Sequence, residues 1–143
     1  MTKGFTLLEM ALTIAVIAIL SGISAPIFMS FVGRNDLNVT TNVVVQSLRR
    51  AQSLSLSMES NQSWGVYLES KKVTIFKGLN YVSRDASFDE IFDIAPTISF
   101  SGLDEVVFDR FTGDTPNSGN IIINSINNET KTITINQKGM LEY

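Results

Sequence analysis

The sequence predicts an α+β fold in which one long N-terminal helix packs on a C-terminal antiparallel β-sheet. Two observations predict this fold. Residues 10–33 form a run of 24 residues without a charge, and the chain after about residue 60 alternates apolar and polar positions between clusters of turn residues. A chain of 143 residues is long enough for one compact domain. We therefore expect a helix that leads into a single small sheet domain.

The first element, the uncharged run, is long enough to cross a membrane. As a helix it would rise about 36 Å, more than the hydrocarbon core of about 30 Å. A secretory signal peptide is the alternative, because Gly22, Ser24 and Ala25 could imitate a small-residue cleavage site. Against this alternative, the apolar run continues through Phe31 and an acidic residue, Glu9, lies at its start.

Residues 3–9, Lys-Gly-Phe-Thr-Leu-Leu-Glu, precede the run. This segment resembles the class III signal of type IV prepilins and pseudopilins, in which a basic leader ending in glycine is followed by phenylalanine and, four positions later, glutamate. In that family a membrane aspartyl peptidase cuts after the glycine and methylates the new terminal amine. The resemblance therefore implies a leader of residues 1–4, cleavage between Gly4 and Phe5, and N-methylation of Phe5.

Two residues of this segment also have physical reasons for such roles. Gly4 lacks a β-carbon, so an extended backbone can approach a peptidase closely. Glu9 places a carboxylate in an apolar segment at a cost of about 2.5 to 3.5 kcal/mol, so it needs a partner. The resemblance implies that this partner is the N-terminal amine of an adjacent subunit, so that Glu9 sets the stagger of a filament. The alternative is a carboxylate favoured by the helix dipole at the start of the helix, worth about 0.3 to 1 kcal/mol.

Gly22 and Pro26 interrupt the apolar helix. Proline removes one backbone hydrogen bond and clashes with the preceding turn, so we expect a kink or local melting there. The resemblance implies that this stretch unwinds when a subunit moves from the bilayer to a filament. A proline tolerated in a membrane helix without consequence is the alternative.

Beyond residue 33 the helix becomes amphipathic. Apolar and small residues recur every three or four positions, namely Leu37, Thr41, Val44, Leu48, Ala51, Ser55 and Met58. We expect the helix to run from Phe5 to about residue 60, with residues 5–33 in a membrane or filament core and residues 34–143 in a globular domain. Arg49 and Arg50 fit the solvated face of this helix better than a binding patch.

The rest of the chain predicts strands and turns. The candidate strands are residues 64–68 and 72–76 as a hairpin, 97–100, 105–109, then 120–126 and 131–136 as a second hairpin, and 139–143 as a strand or tail. Residues 112–119 have turn chemistry. Residues 78–95 have no clear period, so Phe88, Ile91 and Phe92 are expected to anchor a short helix or loop.

The C-terminal half adds a finer resemblance. Residues 107–113, a strand at 121–123, and residues 131–135 followed by Gly139 are similar to the arrangement in GspH/FimT-type minor pseudopilins and minor pilins. Some FimT-like minor pilins bind DNA through basic residues near the C-terminus. Here the C-terminal segment has one basic residue, Lys138, and one acidic residue, Glu142, so its charges cancel and the chain departs from that pattern.

Composition excludes several function classes. The chain has no cysteine and no histidine, which removes disulfides, thiolate metal sites, the usual general base and the commonest metal ligand. We expect no enzymatic activity, no catalytic residue and no cofactor. Eleven Lys and Arg residues and fourteen Asp and Glu residues give a net charge of −3. A negative net charge is unfavourable for a protein whose main function is to bind nucleic acid.

These inferences predict a structural subunit of a type IV pilus or type II secretion pseudopilus, most like a minor subunit. Its expected partners are other pilin or pseudopilin subunits, the prepilin peptidase and the inner-membrane assembly platform. Its expected location is the inner membrane, with a single span and the C-terminal domain outside the cytoplasm, and then the filament. Lys3 and Arg34 flank the span and only weakly favour a cytoplasmic N-terminus.

Three alternatives stay open. The first is a major pilin or pseudopilin, and the second is an adhesive or DNA-binding ectodomain with an exposed aromatic surface of Trp64, Tyr67 and Tyr81, although core burial suits Trp64 better. The third is a calcium site, although no spacing here matches an EF-hand and we expect no metal. Its candidate oxygen ligands are Asp104, Glu105, Asp109, Asp114, Asn117 and Asn120.

Overall fold

The computed structural model describes residues 4–57 and 61–143, and the side chains of these residues other than 23–27 and 29. One helix, α1 (Leu7–Leu56), precedes the strands. The strands are β1 (Trp64–Glu69), β2 (Lys72–Lys77), β3 (Asp85–Asp93), β4 (Ile98–Gly102), β5 (Glu105–Phe108), β6 (Gly119–Ser125), β7 (Thr130–Ile135) and β8 (Leu141–Glu142). A long N-terminal helix followed by antiparallel strands confirms the predicted α+β class.

The chain divides into two compact units, Met1–Val32 and Gly33–Tyr143. In the first unit, every side chain of residues 4–22 is exposed. The second unit contains the C-terminal part of α1, all the described strands and the hydrophobic core.

Within the described residues, no helix has the length and apolar character of a membrane span.

The C-terminal part of α1 buries the predicted stripe. Its members Leu37, Thr41, Val44, Leu48, Ala51 and Ser55 are buried, whereas Met58 lies outside the described residues. This spacing places one residue per turn on the same helix face, because an α-helix has about 3.6 residues per turn. The helix itself starts at Leu7 rather than Phe5 and ends at Leu56 rather than about residue 60.

The first sheet has the strand order β3-β2-β1-β5, with every neighbouring pair antiparallel. The predicted hairpin of β1 and β2 is confirmed, with Trp64 opposite Lys77 and Glu69 opposite Lys72. Lys71 adopts a positive φ of 73° in the turn between them. This tight connection sets β1 and β2 at the centre of the sheet.

The second sheet has the order β4-β6-β7-β8 and contains the second predicted hairpin, β6 with β7. The prediction of a single sheet is therefore wrong. The link between β4 and β5 crosses from one sheet to the other. The Leu103 N–H donates to the Asn120 carbonyl in the second sheet, and the Asp104 carbonyl accepts the Leu68 N–H in the first sheet. Gly102 has a φ of 89° at this crossing, and a β-carbon there would collide with the Asn120 carbonyl oxygen.

The prediction of a short helix or loop within residues 78–95 is also wrong, because β3 occupies residues 85–93 as an outer strand of the first sheet. Both faces of this strand are largely exposed, so its sequence shows no apolar and polar alternation. The aromatic ring of Phe88 lies edge-on to Trp64, with ring centroids 6.3 Å apart.

One core joins the helix to both sheets. The helix contributes the stripe given above, the first sheet contributes residues such as Val66, Ile75 and Phe108, and the second contributes Ile121 and Ile133. All of these side chains are fully or almost fully buried. Burial of apolar area of this kind is the main favourable contribution to folding.

Candidate processing and assembly site at the N-terminus

Residues 4–6 precede α1, and Thr6 and Glu9 close the first turn of the helix together. The Thr6 hydroxyl oxygen accepts the Glu9 backbone N–H at 3.2 Å. In return, Glu9 Oε2 accepts the Thr6 N–H at 3.1 Å and the Thr6 hydroxyl at 3.2 Å. This reciprocal arrangement is a capping box, which satisfies backbone donors that the start of any helix leaves free.

Glu9 therefore has a partner within its own chain. Its side chain is exposed, and it lies in the first turn of α1, where the helix dipole favours a negative charge. The geometry matches the alternative of a carboxylate placed at the helix start. An ion pair with the amine of a neighbouring subunit would have to replace or share these bonds with Thr6, and that pairing stays a prediction.

Gly4 has no structural reason to be glycine within the described chain. No heavy atom lies within 4 Å of the place where its β-carbon would be. Several other glycines of the chain are different, since a β-carbon at Gly33 or Gly139 would collide with a neighbouring group. We therefore expect the reason for glycine at this position in a molecule that binds this segment.

The side chains that follow Gly4 are large, apolar and uncovered. Phe5, Leu7 and Leu8 are 83%, 88% and 80% exposed. The same holds along the first unit for Met10, Leu12, Ile14, Val16, Ile17, Ile19, Leu20, Phe28 and Phe31. These residues cover every side of the helix, and a helix that is apolar all round is stable only when other molecules cover it.

Gly22 and Pro26 fall inside α1, which is continuous from Leu7 to Leu56. A β-carbon at Gly22 would meet no heavy atom within 4 Å, so packing does not explain this glycine. The side chain of Pro26 lies outside the described residues. The predicted kink or melting at these positions stays a prediction.

The acidic and amide residues considered as calcium ligands are not brought together. Glu105 accepts the Tyr81 N–H at 3.1 Å, Asn117 accepts the Val107 N–H at 3.4 Å, and Asp114 forms an ion pair with Lys138 at 2.9 Å. No group of three or more acidic side chains within the described ranges could hold a metal ion.

The aromatic surface considered for ligand binding is occupied by the protein itself. Trp64 is only 6% exposed and belongs to the core. Tyr67 and Tyr81 stack on each other with ring centroids 3.9 Å apart, and the Arg84 guanidinium lies 3.8 Å from the centre of the Tyr81 ring. These rings therefore do not offer an open stacking platform for a sugar or a base.

The capping box is the part of the site that the sequence analysis missed. Its signal was present, because Thr6 and Glu9 have the Ser/Thr-x-x-Glu spacing that precedes an apolar helix. The helix accordingly starts at Leu7 rather than Phe5, and Gly4 and Phe5 form a lead-in without regular secondary structure.

Comparison with known proteins identifies a family motif in this N-terminal segment. Residues 1–25 match the family model described as the prokaryotic N-terminal methylation motif. No solved structure matches the chain. The motif covers the lead-in, the capping box and much of the apolar helix, and it supports a type IV pilin-like protein.

Proposed function

We propose that this protein is a subunit of a type IV pilus or a type II secretion pseudopilus, most like a GspH/FimT-type minor subunit. In this proposal the prepilin peptidase cuts between Gly4 and Phe5 and methylates the Phe5 amine. The helix then holds the subunit in the inner membrane with its C-terminal domain outside the cytoplasm. The assembly platform afterwards transfers it to a filament of pilin or pseudopilin subunits.

One observation carries the proposal. A glycine that the fold does not need is followed directly by an exposed Phe5, a capped helix start and a helix whose apolar side chains are uncovered on every side. An accessible lead-in without regular secondary structure suits a peptidase, and an uncovered apolar helix suits lipid first and neighbouring helices later. The 24 uncharged residues of the sequence support the membrane stage.

The experiment that tests the proposal is the intact mass and N-terminal fragment sequence of the protein extracted from its native host. We expect loss of residues 1–4 and one added methyl group on Phe5. A Gly4→Val variant should stay uncut, because its branched side chain would crowd the peptidase. The matched control is Gly22→Val, which changes the other unobstructed glycine of the same helix unit and should be cut normally.

Other outcomes would contradict the proposal. Cleavage near Ala25 would identify a secretory signal peptide, and an uncut chain would identify a simple anchored or unprocessed protein. Equal processing of the natural chain and the Gly4→Val variant would show that the peptidase does not require glycine at position 4. The abundance of the processed protein in sheared filaments would then distinguish a minor from a major subunit.

A further inference from the structure

Strand β3 has no described strand on its outer side, although within β3 the Ser87 N–H donates to Asp85. It is nine residues long and lies at the edge of the first sheet, where β2 is its neighbour among the described strands. An exposed strand edge of this length presents a row of N–H and C=O groups that can pair with another strand.

Apolar surface accompanies this edge. Ile91 is 58% exposed on β3, opposite Thr74 of β2. On the other face of the strand, Phe92 lines a groove of about 400 Å³ together with Val43 and Ile75. A strand added beside β3 would cover Ile91 with one set of side chains and bring the alternate set next to this groove.

The charges of β3 are all negative. Asp89 is held by Arg84 at 2.8 Å, and Glu90 accepts hydrogen bonds from Arg50 Nε and from one terminal guanidinium nitrogen, each at 2.7 Å. The remaining two, Asp85 and Asp93, lie at the two ends of the strand and form no ion pair within the described part of the chain. They give the edge an acidic group at each end.

The fold itself shows which strand suits this pattern. On the inner side of β3, strand β2 places Lys72 opposite Asp93 and Lys77 opposite Asp85, with a largely apolar stretch between the two lysines. The register between the two strands shifts between Ile75 and Lys77, and the Lys72 ammonium group pairs with Glu69, so both carboxylates stay without an ion pair to β2. A strand on the outer side would meet these two carboxylates and the backbone groups that point away from β2. Opposite charges at facing positions favour pairing and like charges oppose it.

A second copy of β3 does not suit this edge. Antiparallel pairing of two such strands about their centres would place Asp85 against Asp93 at both ends. These two repulsions act against self-pairing, a device that proteins use to keep edge strands apart.

We propose that β3 binds an additional strand from a different protein, and that this strand carries Lys or Arg at both ends with apolar residues between them. Backbone hydrogen bonds supply the docking, the apolar side chains cover Ile91 and adjoin the groove, and the end charges set the register. This docking surface is separate from the N-terminal segment and does not depend on its processing.

The test uses the full chain in detergent micelles and a fluorescent peptide with the sequence Lys-Lys-Val-Thr-Ile-Phe-Lys, which copies residues 71–77. We expect saturable binding by fluorescence anisotropy, and slower amide hydrogen exchange across β3 when the peptide is present. A peptide of the same sequence with methyl groups on alternate backbone nitrogens should bind at least about tenfold more weakly, because it cannot form the ladder.

The charge requirement is tested with matched variants. The double variant Asp85→Asn with Asp93→Asn should bind the peptide roughly fivefold more weakly, with less dependence on salt. The control Asp104→Asn with Asp109→Asn changes the net charge by the same amount at exposed positions outside β3 and should bind like the natural chain.

Several results would overturn the proposal. These are the absence of saturable binding, equal binding of the methylated peptide, or equal weakening in the control variant. Faster exchange in β2 would show that the peptide displaces β2 instead of adding to β3. Protection of β3 that rises with protein concentration without peptide would make a second copy the occupant.

Discussion

Thr6 and Glu9 satisfy each other's hydrogen bonds at the start of α1, so the shape and the charge of Glu9 can be tested separately. Glutamine at the third helical position can form the same capping box as glutamate. Only the carboxylate can form an ion pair with a terminal amine. The two explanations of Glu9 therefore predict different results for one substitution.

We predict that Glu9→Gln is processed normally and keeps its capped helix, but assembles into filaments about tenfold less or worse. The physical reason is that loss of one partner leaves an uncompensated amine charge between packed helices. Thr6→Ala is the contrasting variant, since it removes a cap worth about 1 kcal/mol and leaves the charge in place. Sheared-filament yield, with N-terminal mass as a control for processing, measures both. Normal assembly of Glu9→Gln would leave capping as the role of Glu9.

Ser87 stabilises the charged form of Asp85 at the N-terminal end of β3. Its hydroxyl and its backbone N–H donate to Asp85 Oδ1 at 2.6 and 3.1 Å, and these bonds hold the pKa of Asp85 below its ordinary value of 3.8. A lowered carboxyl pKa adds stability above the ordinary value, and that stability is lost as the pH falls through the pKa of the folded protein.

We predict that Ser87→Ala raises the pKa of Asp85 toward its ordinary value, because the hydroxyl is the larger of the two causes. The natural chain should accordingly be more stable than the variant above the ordinary pKa of Asp85, and this difference in folding stability should disappear in strong acid. Carbon-13 NMR titration of the Asp85 carboxyl group measures the shift. Ser101→Ala is the control, since Ser101 accepts a hydrogen bond from Asn124 instead of donating to a carboxylate, and an equal shift in that variant would contradict the assignment.

At the scale of the element, α1 has two kinds of surface after residue 33. Leu48 is fully buried in the core, whereas Val39 is 53% exposed on the same helix. The amphipathic spacing of the sequence is therefore a real packing pattern in this part of the chain.

We predict that Leu48→Ala lowers the free energy of unfolding by about 2 to 5 kcal/mol, because it leaves a cavity between helix and sheets. Val39→Ala should change it by less than about 1 kcal/mol. Denaturant unfolding of the full chain in micelles, followed by near-ultraviolet circular dichroism, measures the difference. Similar losses for both variants would contradict the buried stripe.

The sequence was informative where structure depends on nearby residues. The stripe on α1 and the hairpins of β1 with β2 and β6 with β7 follow from local periodicity and turn residues, and the structure confirms them. The capping box was equally local, and its Thr-x-x-Glu spacing could have been recognised.

The missed features depend on distant residues. On β3, the carboxylate of Glu90 is paired with Arg50 from α1, a contact that the strand segment by itself does not indicate, so the segment reads as an irregular polar stretch. The division into two sheets follows from the choice of partners for β4 and β5, which their short sequences do not encode by themselves. The predicted roles of Gly4 in cleavage and of Glu9 in filament register involve contacts with other molecules.

At the scale of the whole molecule, the hydrophobic core lies entirely within the unit Gly33–Tyr143. Its first member is Leu37, and no side chain of residues 4–22 is buried. The described core of the unit Gly33–Tyr143 is therefore formed by residues of that unit.

We predict that a fragment of residues 33–143 folds without the first unit and unfolds in one cooperative transition. The reason is that the fragment retains every member of the core and both sheets. Thermal unfolding by circular dichroism, compared with the full chain in micelles, measures this. A fragment without a cooperative transition would show that the first unit is needed for folding.

Trp64 gives the molecule an internal optical reporter. It is the one tryptophan of the sequence, it is buried in the core, and its ring meets Phe88 of β3 edge-on. Indole emission depends on polarity, so unfolding of the first sheet should shift the fluorescence to longer wavelength without any added dye. Detachment of β3 from the first sheet should be visible in the same signal, which allows folding and the loss of this strand to be followed in the unlabelled protein.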